Sequence, residues 1–320
     1  MKNLVKKNLT SLKPSSTLVI NEKVKELIKQ GKKVYQLGFG QSPFPVPEKI
    51  VSELKTHAHK KEYLPIQGLT ELREAISNYL FKKTGSSFPK ENIIITPGSK
   101  EAMLLMHVAF NGEIILPAPS WVSYEPQAQI GLNKVHWIQT SRENNWFPTP
   151  EELEKKIKLI GKNKNIIFIL NSPNNPSGTV CKNLKELAII AKKHKIIVLS
   201  DEIYTDLTFC NKYESISKYY PEATFVSGGL SKWCGAGGWR LGTMIIPKNL
   251  RSVQDSLAAV SSETFSCVAS PIQYASITAF NNDEIINNYL LHSRRILSVI
   301  GNYCSKILAD AEVKIYPPQG

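Results

Sequence analysis

A mostly parallel α/β sheet of seven strands, with helices on both faces, is the fold this sequence predicts, and three observations predict it. Seven short apolar runs recur between residues 92 and 247. Several are near-continuous β-branched stretches, as expected of strands buried on both faces. Amphipathic segments of helical period separate many of them, and strand alternating with helix builds a parallel sheet.

Taken in order, "NIIITPG" (92–98) precedes a helical pattern at 100–110, and "GEIILPAP" (112–119) precedes one at 121–132. "KVHWIQT" (134–140) leads to a helix at 149–160, and "NIIFILNSP" (165–173) to one at 182–194. "KIIVLSDEIY" (195–204), "ATFVSGGLS" (223–231) and "WRLGTMIIP" (239–247) complete the set. The 320 residues, 42% hydrophobic and 21% charged, suffice for one large domain with a smaller one beside it. The order of elements places the large domain at 46–285. The arm 1–45 and the segment 286–320 then belong to an incomplete small α/β domain.

Composition narrows the function classes. The net charge of +13 is spread over helical faces such as "NEKVKELIKQGKK", where lysine alternates with glutamate. No arginine-rich block or aromatic-basic alternation appears, so a solvated surface is expected and no nucleic-acid partner. No run has the length of a membrane span, and the N-terminus lacks the apolar core of a secretory signal. Residues 1–21 contain lysines and no acid but also no arginine, which argues against an organelle presequence. The five cysteines are scattered and form no CxxC pair, the usage of reduced thiols in a cytoplasmic protein.

In open α/β sheets ligands bind at the carboxyl ends of the strands, and there the sequence turns unusual. "TPGSKEA" sets Gly98 before a helix opened by Ser99 and Lys100, an anion site of backbone N–H groups. "PAPSWVSYE" places Trp121 on the rim, "NSPNNPSG" a polar turn with Asn174, and "SDEIYTD" Asp201 and Tyr204. In "SKWCGAGGWRLG", Lys232 and Arg240 stand close together among glycines, an arrangement that calls for a shared anionic partner. One ligand uses all of these groups. Its phosphate suits Arg240, its flat ring suits Trp121, a basic ring nitrogen pairs with Asp201, and an aldehyde bonds to Lys232. Pyridoxal 5'-phosphate carries each group. The bland alternatives are an ordinary strand-end turn for Asp201 and Tyr204 and plain core packing for Trp121.

The chain resembles the class I/II aminotransferases among the fold-type-I pyridoxal-phosphate enzymes. The stretches that carry the resemblance are "LGFGQSPFPVP" (37–47), "YLPIQGLTELREA" (63–75), "TPGSKEA" (96–102), "PAPSWVSYE" (117–125), "NSPNNPSGT" (171–179), "SDEIYTDL" (200–207) and "SKWCGAGGWRLG" (231–242). The resemblance implies that Lys232 is the Schiff-base lysine and proton shuttle, and that Asp201 keeps the pyridine nitrogen protonated. It implies that Tyr204 and Asn174 hold the ring oxygen, that Trp121 stacks on the ring, and that Arg240, Ser99 and Lys100 hold the phosphate. Tyr63 resembles the tyrosine that reaches the neighbouring subunit's phosphate, which implies a homodimer. Gly38 lies in the segment that closes over the substrate, so Gly38, Trp121 and Asn174 are the substrate-contacting set.

Two departures accompany the resemblance. Position 229, three before the lysine, is glycine where many relatives carry a phosphate-binding serine, leaving Ser227 or Ser231 as the substitute. The chain also stops at "YPPQG", before the region in which relatives carry the arginine for the substrate carboxylate, and Arg294 and Arg295 are not assigned that role. The implied reaction is exchange of an α-amino group between an amino acid and a 2-oxo acid. β-Elimination, including C–S lyase chemistry, on the same fold and a truncated non-catalytic partner chain are the alternatives. The uncharged "LGFGQSPF" segment points weakly to neutral or aromatic substrates.

Overall fold

A computed structural model describes residues 4–36, 38, 40–210, 214–281 and 283–320, without the side chains of 17 and 18. Among the described residues, seven strands form one sheet. They are β1 (Ile93–Thr96), β2 (Glu113–Ala118), β3 (Lys134–Gln139), β4 (Ile166–Asn171), β5 (Ile197–Asp201), β6 (Thr224–Gly229) and β7 (Gly242–Ile245). Each falls within one of the seven apolar runs. Their order across the sheet is β1-β7-β6-β5-β4-β2-β3. Only β7 runs against its neighbours, pairing antiparallel with both β1 and β6.

The helices are α1 (Ser16–Lys29), α2 (Glu48–His57), α3 (Thr70–Thr84), α4 (Ser99–Ala109), α5 (Tyr124–Ile130), α6 (Pro150–Ile160), α7 (Leu184–Lys193), α8 (Arg251–Thr264), α9 (Ser270–Phe280) and α10 (Glu284–Asp310). Local chemistry sets several ends. Pro150 stands at the first turn of α6, and Thr149 and Glu152 cap each other in a capping box. Asp283 caps α10 by accepting from the Ile286 amide at 3.0 Å. Helix α5 is shorter than the pattern at 121–132 suggests. It begins at Tyr124, which leaves Trp121 in the turn above β2.

Strand side chains alternate between two covered faces, as the apolar runs require. Ile93 and Ile95 pack into the cluster formed with α2, α3 and α9, while Ile94 enters the one under α4 and α8. Phe168 points toward α6 and α7, while Ile167 and Ile169 join the α4 side. Ile93, Ile95 and Phe168 are fully buried, each such side chain contributing about 1.5–3 kcal/mol by its removal from water.

The register then positions the chemistry. Asn171, at the end of β4, lies opposite Asp201, at the end of β5, and Asp201 lies opposite Ser227. Thr96 and Gly229, at the ends of β1 and β6, both lie opposite Gly242. One edge of the sheet therefore gathers the carboxyl ends of the parallel strands, as open α/β sheets do around ligands. Among the described residues, no helix is long and apolar enough to cross a membrane.

Candidate active site

That edge opens into a cavity of about 620 Å³, lined by Lys232, Asp201, Tyr204, Trp121, Ser99, Lys100 and Arg240 among others. Residues spread over more than 140 positions of the chain therefore meet at one place. Lys232 is half-buried and its Nζ donates to Gly40 O at 2.7 Å. The same Nζ lies 5.5 Å from the centre of the Tyr204 ring. Burial lowers the Lys232 pKa, Asp201 opposes this, and the Arg240 and Lys100 cations lower it further.

Asp201 lines the same cavity. It is buried at 3% exposure, its Oδ2 accepts from Tyr124 Oη at 2.7 Å, and its Oδ1 accepts from the Ile203 amide at 3.3 Å. Burial lifts its carboxyl to about 6, against the pull of the Tyr124 bond and of Lys232. Tyr124 belongs to the site although the sequence reading passed over it. Burial also lifts the Tyr204 phenol to about 12, with Asp201 adding to the effect, so Tyr204 keeps its proton and stays a donor.

Ser99, Lys100 and Arg240 offer the cavity a cradle for an anion. No side chain caps the first turn of α4, so its leading amides are left for a ligand. Gly98 precedes it at φ +88°, and a Cβ there would stand 2.2 Å from Arg240 Nη2. Glycine is required so that the guanidinium can lie against the turn. Arg240 itself is left-handed at φ 55° and is held by Nη1 donating to Gly237 O at 2.8 Å and Nη2 to Pro97 O at 3.0 Å. Lys100 Nζ sits 5.0 Å from the Trp121 ring centre, and burial and Arg240 lower its pKa. Trp121 in turn meets Tyr124 edge-on at 5.3 Å.

The glycine at position 229 has a steric cause. Its φ is +147°, and a Cβ would come within 2.6 Å of Leu241 O, so no serine fits there. Of the two substitutes, Ser231 lines the large cavity. Ser227 faces a separate small one, its Oγ buried without a partner among the described residues.

Two expectations change. Asn174 does not line the cavity: its Nδ2 donates away from the site to Pro119 O at 3.3 Å. The next residue, Asn175, lines it and donates from Nδ2 to Tyr204 Oη at 3.2 Å. Its amide is pinned by Asn171 Oδ1 at 2.8 Å. Adjacent side chains in a tight turn point apart, and only one can face the ligand. Gly38 is exposed beside Ile20, and its segment reaches the cavity through Gly40 and Gln41 instead. Tyr63 is 90% exposed and does not line the cavity of its own chain.

A buried acid, a half-buried amine and an anion cradle in one cavity fit pyridoxal phosphate. The Gly98 notch filled by Arg240 is the feature that an ordinary loop would not need.

Comparison with known proteins agrees. The family described as aminotransferase class I and II matches residues 32–320. The aspartate aminotransferase of Thermotoga maritima is 30% identical over 327 aligned residues, spanning 99% of this chain and 83% of that protein. The aspartate aminotransferase of Pyrococcus horikoshii is 34% identical, spanning 83% of this chain and 69% of its own length. The solved aspartate aminotransferase from Thermus thermophilus with maleate superposes at a TM-score of 0.94 and 29% identity, covering 100% of this chain and 84% of its own. The chain belongs to the class I and II aminotransferase family, and amino-group transfer is its reaction.

Proposed function

We propose that the chain works with pyridoxal 5'-phosphate and moves an α-amino group from aspartate to a 2-oxo acid. The observation that carries this is the convergence of Lys232, Asp201 and Arg240 on one cavity. When bound, the cofactor supplies an aldehyde that bonds an amine and a ring that withdraws electrons from the carbon losing its proton. Lys232, its charge disfavoured by burial, would offer a free amine to that aldehyde and, once displaced from it by the substrate amine, would carry the proton from the substrate Cα to the former aldehyde carbon. Asp201, fixed by Tyr124, would hold a proton on the ring nitrogen, and that positive partner would draw its carboxyl back toward the ionised form. Tyr204 and Asn175 would donate to the ring oxygen, and Trp121 would cover the ring. Arg240, Ser99, Lys100 and Ser231 would hold the phosphate, Arg240 through its guanidinium fork and α4 through the positive end of its dipole.

Aspartate as donor is supported by the names of the Thermotoga, Pyrococcus and Thermus relatives, against the neutral or aromatic substrates that segment 37–44 suggests. A homodimer, in which the exposed Tyr63 reaches the phosphate of the second copy, belongs to the same reading. So does a cytoplasmic location, supported by free cysteines.

The test is spectroscopic. Aspartate alone should bleach the visible band of the loaded chain, and a 2-oxo acid should restore it. Release of ammonia and a 2-oxo acid without any acceptor would contradict transfer and favour elimination.

A further inference from the structure

A second cavity, of about 40 Å³, lies behind the site against α3, β6 and β7. Asp206 lines it from the turn that carries Tyr204, and Trp233 lines it from the turn that carries Lys232. The two turns therefore do not close directly on each other at this depth, and one side chain spans them.

That side chain is Tyr79, on α3, only 2% exposed. Its Oη donates to Asp206 Oδ1 at 2.6 Å. Its ring stacks on Trp233 at 6.3 Å with the planes 11° apart. Phe280 stands edge-on to both rings, at 5.5 Å and 6.0 Å. Trp233 directly follows Lys232 in the chain. Asp206 lies two residues past Tyr204, in a turn closed by the Leu207 amide donating to Tyr204 O at 2.8 Å. We infer that Tyr79 is a positioning residue for amino-group transfer, fixing the turn of Tyr204 against the turn of Lys232. This rests on the cofactor reading given above.

The charged surroundings make the bond a durable one. Burial, and then Asp206, push the Tyr79 phenol well above its ordinary range, while Arg294 opposes and Cys234 adds slightly. The hydroxyl therefore keeps its proton and remains a donor. Asp206 also meets Lys83 Nζ at 3.3 Å, and its carbonyl accepts from Arg294 Nη1 at 3.3 Å. Loss of the Tyr79 hydroxyl thus leaves the Asp206 side chain still paired with Lys83, so the variant removes a tether rather than leaving that side chain without a partner.

The experiment compares the loaded parent with Tyr79→Phe, Asp206→Ala and Asp206→Asn. Tyr79→Phe keeps the stack and loses only the tether. The pH midpoint of the visible band should rise by about half a unit, because a slackened Tyr204 donates less well to the ring oxygen. Turnover should fall roughly tenfold, with the KM for aspartate within about twofold of the parent. Asp206→Ala should reproduce the shift from the other end of the bond, and the double variant should add little to it. Asp206→Asn, which keeps an acceptor for the hydroxyl, should stay near the parental midpoint. If Tyr79→Phe does not fold, Asp206→Ala reads the same bond, and a parental midpoint there overturns the inference. An active parent whose Tyr79→Phe variant differs only in thermal stability also overturns it. A parent without a visible band overturns the cofactor reading, and this inference with it.

Discussion

Tyr124 Oη donates to Asp201 Oδ2 at 2.7 Å, joining residues 77 positions apart. The phenol holds one oxygen of a buried carboxylate whose other oxygen accepts from the Ile203 amide. Removing the hydroxyl in Tyr124→Phe takes away a bond that favours the ionised acid and raises its pKa further. Turnover should fall about tenfold while the visible band persists. Unchanged turnover in that variant would remove Tyr124 from the account.

Asp201 also makes a prediction for the cofactor-free chain. Its folded pKa of about 6 lies above the ordinary value of 3.8, so the folded protein favours the protonated acid. The stability this contributes is fully present below pH 3.8 and is lost as pH rises through about 6. Asp201→Asn, which cannot ionise, should therefore exceed the cofactor-free parent in thermal stability near neutral pH, and the gap should narrow toward about pH 4. Thermal melts across that range read it directly. The same variant should lose roughly 10²–10³ in turnover, the scale seen when a group that stabilises developing charge is removed.

The turn at 171–179 supplies a paired test. Asn175→Ala removes the donor to Tyr204 and should raise the pH midpoint of the visible band and cost about tenfold in turnover. Asn174→Ala removes only a bond to Pro119 O and should leave both near the parent. The reverse ranking would return the role to Asn174.

Gly98→Ala tests the anion cradle. The added methyl would stand 2.2 Å from Arg240 Nη2 on a backbone with φ +88°, so the guanidinium has to move. Cofactor affinity should drop roughly a hundredfold, the equivalent of about 2.7 kcal/mol, with little change in the spectrum of whatever fraction binds. Titration of the cofactor-free chain followed by fluorescence quenching measures it, and parental affinity would contradict the cradle.

The fold was largely legible because its signals are local. A β-branched run such as "NIIFIL" has few ways to bury itself other than as an inner strand, and each of the seven runs contains a strand of the sheet. The reversal of β7 carried no local signal. It follows from pairing β1 and β6 on either side of it, a long-range fact. In the site, residue types with rare contexts were legible: Lys232 and Arg240 among glycines, Asp201 at a strand end, Gly98 before a helix. Tyr124 was not, because its partner is distant in sequence and an aromatic residue near a helix start reads as core. Asn174 and Asn175 are identical in type and adjacent, so only the backbone path could decide which side chain faces the cavity. Gly229 read as a missing serine, whereas its φ and the nearby Leu241 carbonyl show a position that excludes side chains.

The central claim is that Lys232 bonds the aldehyde of pyridoxal phosphate in the cavity that Asp201 and Arg240 complete. Visible absorbance of the purified chain with added cofactor, set beside Lys232→Ala, tests it most directly. The account predicts a visible band in the parent that borohydride reduction fixes covalently to the Lys232 peptide, and no such adduct in Lys232→Ala. A parent without the band, or an adduct at Lys100 with Lys232 unmodified, would contradict it.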